Sequence, residues 1–346
     1  MPEGGFRRIH LIRLSSLGDV ILTLPVAHAL ARAWPAARLT YWTKEEFRDV
    51  ARFDPAIHHV RGLERDARRL EDVVSMGAEL EDADLIVDLH ANARARVLTF
   101  RQTAPVLRAP SFRLRRAAMV HARWARPQAP PSALERYALA LAPLGFAVEG
   151  PPRVTVGEEA ETWAGRWMSA WGAHAPVALL PGTRHFTKQW PETHWIALAG
   201  ALLETGRPVL CLSIESERRS LPALAARIER DPRARWAVEG LPRAAALLSR
   251  CAAAVSCDSG MMHLAAARGL GVVALFGSTA PELGFAPAGE GHVVLCRHEP
   301  CQPCTLHGRA ACPKRHFRCM TELLPVEVGA ALQRVLHARR AHPAPA

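Results

Sequence analysis

The loop after the first apolar run of this sequence holds no Gly-x-Gly-x-x-Gly, and its later small-residue loop does not end in Gly-Lys-Ser/Thr. The first absence disfavours nicotinamide dinucleotides, and the second excludes a Walker A phosphate loop. No stretch approaches the ~20 unbroken apolar residues of a spanning helix. Pro25 and Arg32 interrupt the most apolar part of the N-terminal region. No long apolar run leads to a small-residue cleavage site, so Met1 to Ser16 reads as a strand rather than a signal peptide. The chain is therefore expected to stay in the cytoplasm, where structural disulfides are not expected. Tyrosine is scarce, with only 2 in 346 residues, and few aromatics interleave with the densest run of arginines. That combination argues against single-stranded nucleic acid as a partner. Acidic residues are short as well, 33 against 44 basic, for a net charge of +11. Such a surface favours polyanions or anionic lipid. An arginine-rich protein without such a partner has the same composition.

What is present is alternation. Short apolar runs at Arg7 to Arg13, Leu39 to Trp42, Ile57 to Val60, Leu85 to Leu89 and Pro105 to Arg108 are separated by helical patterns, the clearest from Gly18 to Trp34. The pattern weakens through Arg113, Arg115, Arg116, Arg123 and Arg126, and a helix is expected from Ser132 to Leu144. It restarts with strands at Val177 to Leu180, Pro208 to Leu212, Ala252 to Cys257 and Val272 to Phe276. Helices are expected at 192–204, 216–229, 243–250, 261–268 and 325–339, with a loose tail after Ala341. Strands alternating with helices predict an α/β protein with parallel sheets covered on both faces. The expected domains are 1–152 and 153–346, the second carrying a Cys-rich segment at 296–320 and the closing helix.

Four motifs carry chemistry. The first is Leu14-Ser15-Ser16-Leu17-Gly18-Asp19, where ligands of open α/β sheets bind. Gly18 permits close backbone approach there. Asp19 either does chemistry or complements a helix dipole. The second is Pro181-Gly182-Thr183-Arg184-His185-Phe186-Thr187-Lys188-Gln189-Trp190-Pro191. Its small residues and hydroxyls suit phosphate oxygens, with Lys188 as a point charge. A solvated turn would carry the same residues. The third is Cys257-Asp258-Ser259-Gly260-Met261-Met262-His263. The N–H groups of Ser259, Gly260 and Met261 at a helix start would face an anion, and Asp258 would accept bonds from sugar hydroxyls. His263 also fits a core histidine. The fourth is Cys301, Cys304, Cys312 and Cys319 in the pattern C-x2-C-x7-C-x6-C. Four thiols suffice for a closed structural zinc or iron site, and reduced thiols without metal fit the same pattern.

Together these motifs resemble glycosyltransferase family 9, the ADP-heptose:lipopolysaccharide heptosyltransferases. RLSSLGDVILTLP is similar to that family's opening strand, loop and helix; PGTRHFTKQWP to its donor loop; CDSGMMHLAAARGLGVVALFGSTAP to its D-[ST]-G-x-x-H stretch; and EPCQPCTLHGRAACPKRHFRCM to the cysteine segment of the heptosyltransferase II type. The resemblance implies a GT-B fold, with two Rossmann-like domains facing a cleft, the acceptor on the N-terminal domain and the donor on the C-terminal one. It implies inverting transfer of a heptose from ADP-heptose to the lipopolysaccharide inner core, with no cofactor needed for catalysis. Peripheral contact with the inner leaflet is compatible with the charge, and no nucleic acid is expected.

By position, Asp19 matches the general base and Lys188 the lysine near the donor phosphate and sugar. Thr183 matches a phosphate-loop hydroxyl, with Gly182 and Thr187 in the same donor loop. Asp258 matches the carboxylate on the donor sugar, with Ser259, Gly260, Met261 and His263 beside the diphosphate. Glu217 matches the acid near the ribose, and Glu215 competes for that role. Ser16, Gly18, Arg113 and Arg116 are expected on the acceptor side. A branch of the family that glycosylates proteins carries a four-cysteine iron site, so the cysteines leave open a protein acceptor. A nucleotide-sugar epimerase of GT-B architecture would share the two-domain pattern. A non-catalytic polyanion-binding module would share the charge.

Overall fold

The computed structural model describes residues 5–63, 76–122, 125 and 128–341. They form two compact units. The first comprises the residues up to Ser111 together with Ala133–Val156; the second comprises Phe112–Ser132 together with the residues from Gly157 on. Arg123 and Arg126 of the arginine-rich span, and the tail 342–346, lie outside the described residues.

The first unit is built on a five-stranded parallel sheet in the order β3-β2-β1-β4-β5. Its strands are β1 (Arg8–Ile12), β2 (Arg38–Lys44), β3 (His59–Leu63), β4 (Leu85–Asp88) and β5 (Val106–Arg108). β1 is central, with Ile12 in register with Trp42 on one side and Asp88 on the other. Four of its five residues are buried, because helices cover both faces of such a sheet. The helix Leu17–Ala33 follows β1 directly and buries most of its length, including Pro25. Ile12, Leu14, Trp42, Leu63, Leu80, Ile86, Ala95 and Leu98 form one core cluster of this unit.

The second unit carries a six-stranded parallel sheet in the order β11-β10-β9-β6-β7-β8. The strands are β6 (Val177–Leu180), β7 (Val209–Ser213), β8 (Ala234–Val238), β9 (Ala253–Cys257), β10 (Val272–Phe276) and β11 (Val293–Cys296). β6, β7, β9 and β10 are buried at every residue and are apolar but for Ser213 and Ser256. Trp190 and Trp195 meet edge to face at 4.9 Å in the core. The Trp190 indole N–H donates to the Leu323 carbonyl at 2.8 Å, just before the closing helix Pro325–Ala341.

Both sheets reverse strand order beside a central strand, between β1 and β4 in the first and between β6 and β9 in the second. Loops leaving the carboxyl ends of those strands form the natural binding crevice of each unit. Three of the four sequence motifs begin at such a point.

Some elements differ from the sequence expectation for local reasons. The helix expected at 216–229 is two, Glu215–Ser220 and Pro222–Glu229, because Pro222 has no N–H to continue the first and suits the start of the second. The helix expected at 132–144 is α-helical only over Ala133–Ala138 and tightens to a 3-10 turn at Leu139–Leu144, which contains Pro143. Helix Glu158–Trp171 is an addition to the expected elements. It buries only Ala160, Ala164 and Met168, a stripe too small to stand out in the sequence.

Candidate active site

In the first unit the loop after β1 holds Asp19 in a full set of bonds. The Ser16 backbone N–H and hydroxyl both donate to Asp19 Oδ2, at 3.1 and 2.7 Å. The Tyr137 hydroxyl donates to Oδ1 at 2.5 Å, and Arg13 Nη2 lies 2.7 Å from the same oxygen. Arg13 is itself anchored, since Nη1 donates to the Leu89 carbonyl at 2.7 Å and the guanidinium lies over the Tyr137 ring at 5.0 Å. Burial alone would raise the Asp19 carboxyl. The Arg13 charge and the Tyr137 and Ser16 donors outweigh burial and hold it well below the usual carboxylate range. Asp19 is thus an ionised carboxylate, and burial pushes the Tyr137 phenol far above its ordinary value, so it stays a neutral donor.

The loop after β4, on the other side of the same crevice, is not among the four sequence motifs. Asp88 is fully buried; its Oδ1 accepts from the backbone N–H groups of His90 and Ala91 at 3.0 and 2.8 Å. Arg108 Nε lies 3.5 Å from Asp88 Oδ2. His90 is held neutral, its pKa lowered to about 4 by burial and then by the Arg13 charge. A sequence signal exists for this loop: Asp88 interrupts the short apolar run Leu85 to Leu89, and His90 directly follows it.

In the second unit the loops after β6 and β9 bring Lys188 and Asp258 together. Lys188 Nζ lies 2.8 Å from Asp258 Oδ2, which also accepts from the Thr279 hydroxyl at 2.6 Å. Asp258 directly precedes Ser259, the N-cap of helix Gly260–Ala267. The first N–H groups of that helix have no partner inside it, and the dipole favours an anion there. The Ser259 hydroxyl is buried with no hydrogen-bond partner among the described residues. A cation, a helix start and an uncommitted hydroxyl make a site for phosphate oxygens. Met261 lies in the first turn of this helix, and His263 is buried two residues further on.

Gly182 and Glu217, drawn from separate motifs, meet in space. A methyl group on Gly182 would lie 2.1 to 2.4 Å from the Glu217 carboxyl atoms, so any larger residue there requires that carboxylate to move. Burial raises the Glu217 carboxyl, against a bond from the Ile214 N–H. Glu215 instead pairs with Arg219 and Arg218 at 2.9 and 3.8 Å, so it is Glu217 that the fold brings to the Gly182 loop.

Two hydroxyls of the Pro181 to Pro191 loop are engaged locally. Thr183 Oγ1 donates to the His185 carbonyl at 2.9 Å. Thr187 is buried, and its Oγ1 accepts from the Ser278 hydroxyl and the Arg309 N–H, both at 2.8 Å. Thr187 therefore ties the loop to the end of β10 and to the cysteine segment rather than standing free for a phosphate. Phe186 stacks on Phe317 at 4.9 Å, and Gly308 packs against His185, completing that attachment. Cys301, Cys304, Cys312 and Cys319 are all free thiols. Burial raises Cys319 to about 12, helped by the other three, and raises Cys304 in the same way. Cys304 and Cys319 thus lie within the field of neighbouring thiols. Among the described residues, no three Cys, His, Asp or Glu side chains converge as a metal-ligand set.

Ser16 and Gly18 lie beside Asp19 in the first unit, and the other two residues expected on the acceptor side are Arg113 and Arg116. They sit on helix Arg113–His121, which belongs to the second unit. Arg13, Tyr137, His90 and Thr279 are the neighbours that sequence reasoning missed. Tyr137 lies 118 residues from Asp19, and no local pattern links them.

The sequence profile of glycosyltransferase family 9 (heptosyltransferase) matches residues 73–313. The chain belongs to glycosyltransferase family 9. It is 31% identical over 361 residues to lipopolysaccharide heptosyltransferase 1 of Pseudomonas aeruginosa, covering 95% of this chain and 98% of that protein. Among solved structures, it resembles the family 9 glycosyltransferase of Veillonella parvula with a TM-score of 0.79 at 21% identity, covering 96% and 98% of the two chains. It also resembles the E. coli heptosyltransferase WaaC with ADP-2-deoxy-2-fluoro heptose, with a TM-score of 0.64 at 19% identity, covering 94% and 99%. The two parallel sheets are those of a GT-B glycosyltransferase.

Proposed function

We propose that this family 9 enzyme transfers a heptose from ADP-heptose to the inner core of lipopolysaccharide, with inversion and without a divalent ion. The observation that carries the reading is Lys188 paired with Asp258 at a helix start that also offers the Ser259 hydroxyl. The names of its relative in P. aeruginosa and of the WaaC complex support the sugar, the nucleotide and the acceptor class.

In this mechanism the acceptor oxygen attacks the anomeric carbon from the face opposite the diphosphate. The bond to the diphosphate oxygen breaks, and ADP leaves. Lys188 and the N–H groups of Gly260 and Met261 stabilise the charge that develops on it. Asp258 and Glu217 accept from sugar and ribose hydroxyls, and Asp19 receives the acceptor's proton. The proposed setting is the cytoplasm, with the +11 surface in peripheral contact with anionic lipid of the inner leaflet. Among the described residues no helix is long and apolar enough to cross a membrane.

The test is incubation with ADP-heptose and a truncated inner-core lipopolysaccharide, read by mass. Gain of one heptose on the lipid supports the proposal. Turnover of ADP-heptose without acceptor would instead indicate an epimerase, and gain of the sugar on a protein would move the acceptor class.

A further inference from the structure

A carboxylate offers about four lone-pair positions. Among the described residues Asp19 has four donors, two on each oxygen: Arg13 and Tyr137 on Oδ1, and the Ser16 N–H and hydroxyl on Oδ2. An acceptor hydroxyl must donate to this carboxylate before its proton can pass there, so one bond has to be given up. The four donors are not equal. Arg13 is charged, anchored to the Leu89 carbonyl, and countercharges a buried acid. Both Ser16 donors belong to the turn that starts helix Leu17–Ala33. Tyr137 alone is a neutral donor arriving from a separate element, the short helix Ala133–Ala138.

We propose that Tyr137 is a positioning residue that holds the acceptor's place on Asp19, and that acceptor binding exchanges its hydroxyl for that of the sugar. Before binding, the phenol keeps the carboxylate aligned and saturated. On binding, the phenol turns its O–H away and retreats from Oδ1, and the acceptor O–H takes the vacated lone pair. The exchange removes a donor that favours the ionised form, so it raises the basicity of Asp19 when the proton has to be taken. Arg13 remains as the countercharge, with Tyr41 and His90 as the other titratable groups that share this field. The inference rests on the proposed role of Asp19 as base.

The scarcity of tyrosine makes the exchange directly visible. Labelling the tyrosine Cζ with carbon-13 gives two signals, Tyr41 and Tyr137, assigned with Tyr137→Phe. Tyr41 is fully buried and bonded to Thr23 Oγ1 at 2.5 Å, so it serves as the internal reference. The probe is the truncated inner-core lipopolysaccharide, added with ADP after transfer to it has been established by mass. The expected result is a shift of the Tyr137 signal alone, in the direction that Asp19→Asn produces without acceptor.

In kinetics, Tyr137→Phe should lower the acceptor KM by roughly three- to tenfold, because the competing donor is gone, with kcat within about twofold. An unmoved Tyr137 signal at saturating acceptor overturns the exchange. So does a kcat loss of about a hundredfold at constant KM, since Tyr137 would then stay in the proton path. Absence of transfer to the lipopolysaccharide counts against the functional reading itself. Transfer with a silent Tyr137 counts against this inference alone.

Discussion

Lys188 Nζ lies 2.8 Å from Asp258 Oδ2, a pair whose side chains are 15% and 8% exposed. The pair lies ahead of helix Gly260–Ala267, and in the proposed mechanism its one cation both neutralises Asp258 and faces the departing diphosphate. Lys188→Ala should therefore raise the donor KM and lower kcat by about 10²- to 10³-fold, the cost typical of losing one preorganised charge. Steady-state kinetics with the donor varied check this. Unchanged constants would make Lys188 a structural partner of Asp258 only.

Acid sensitivity should come in two windows. His90 is neutral in the folded state, its pKa lowered to about 4 from an ordinary 6.5. The unfolded chain takes up that proton first, so stability falls as pH drops from 6.5 towards 4. Asp19 is depressed below its ordinary 3.8, so its contribution is present above that value and is lost as pH falls further. Denaturation midpoints measured across both windows should show His90→Gln flattening the upper one and Asp19→Asn the lower. Identical slopes in wild type and variants would contradict these assignments.

Gly182→Ala should act through its neighbour. The added methyl group would lie within 2.4 Å of all three Glu217 carboxyl atoms, so the carboxylate has to swing away. If Glu217 holds the ribose, the donor KM rises about tenfold, the worth of one hydrogen bond to a charged group. Titration with ADP alone isolates the effect. Equal ADP affinity in Gly182→Ala and wild type would remove Glu217 from the donor site.

The cysteine segment invites elemental analysis. Cys301, Cys304, Cys312 and Cys319 supply the thiol chemistry of a closed structural site, and their segment is tied to the donor loop through Thr187 and Arg309. The four do not converge as a ligand set among the described residues, so only if metal gathers them into a closed site does protein purified without chelator carry about one equivalent of zinc or iron. Less than about a tenth of an equivalent would leave them as reduced thiols.

The features legible in the sequence share one physical property: they are local. β6 and β10 stand where their apolar runs end, and the Asp19, Lys188 and Asp258 loops follow strands with little else between. The Asp19 setting was not legible, because Arg13 and Tyr137 meet only through the packing of helix Ala133–Ala138 on its own unit. Thr187 illustrates the converse. Its hydroxyl fits a phosphate loop by type, and the fold uses it to join the donor loop to Ser278 and Arg309. β8 escapes a sequence reading because its residues alternate only loosely between buried and exposed.

The central claim is that Asp19 takes the acceptor's proton during heptose transfer. Its most direct test is a single-turnover comparison of wild type and Asp19→Asn with ADP-heptose and truncated inner-core lipopolysaccharide, read by mass, alongside ADP affinity. The mechanism predicts a heptose-sized gain with wild type, a rate lower by about 10²- to 10⁴-fold in the variant, and ADP affinity unchanged. Transfer by Asp19→Asn at a near-normal rate would contradict it.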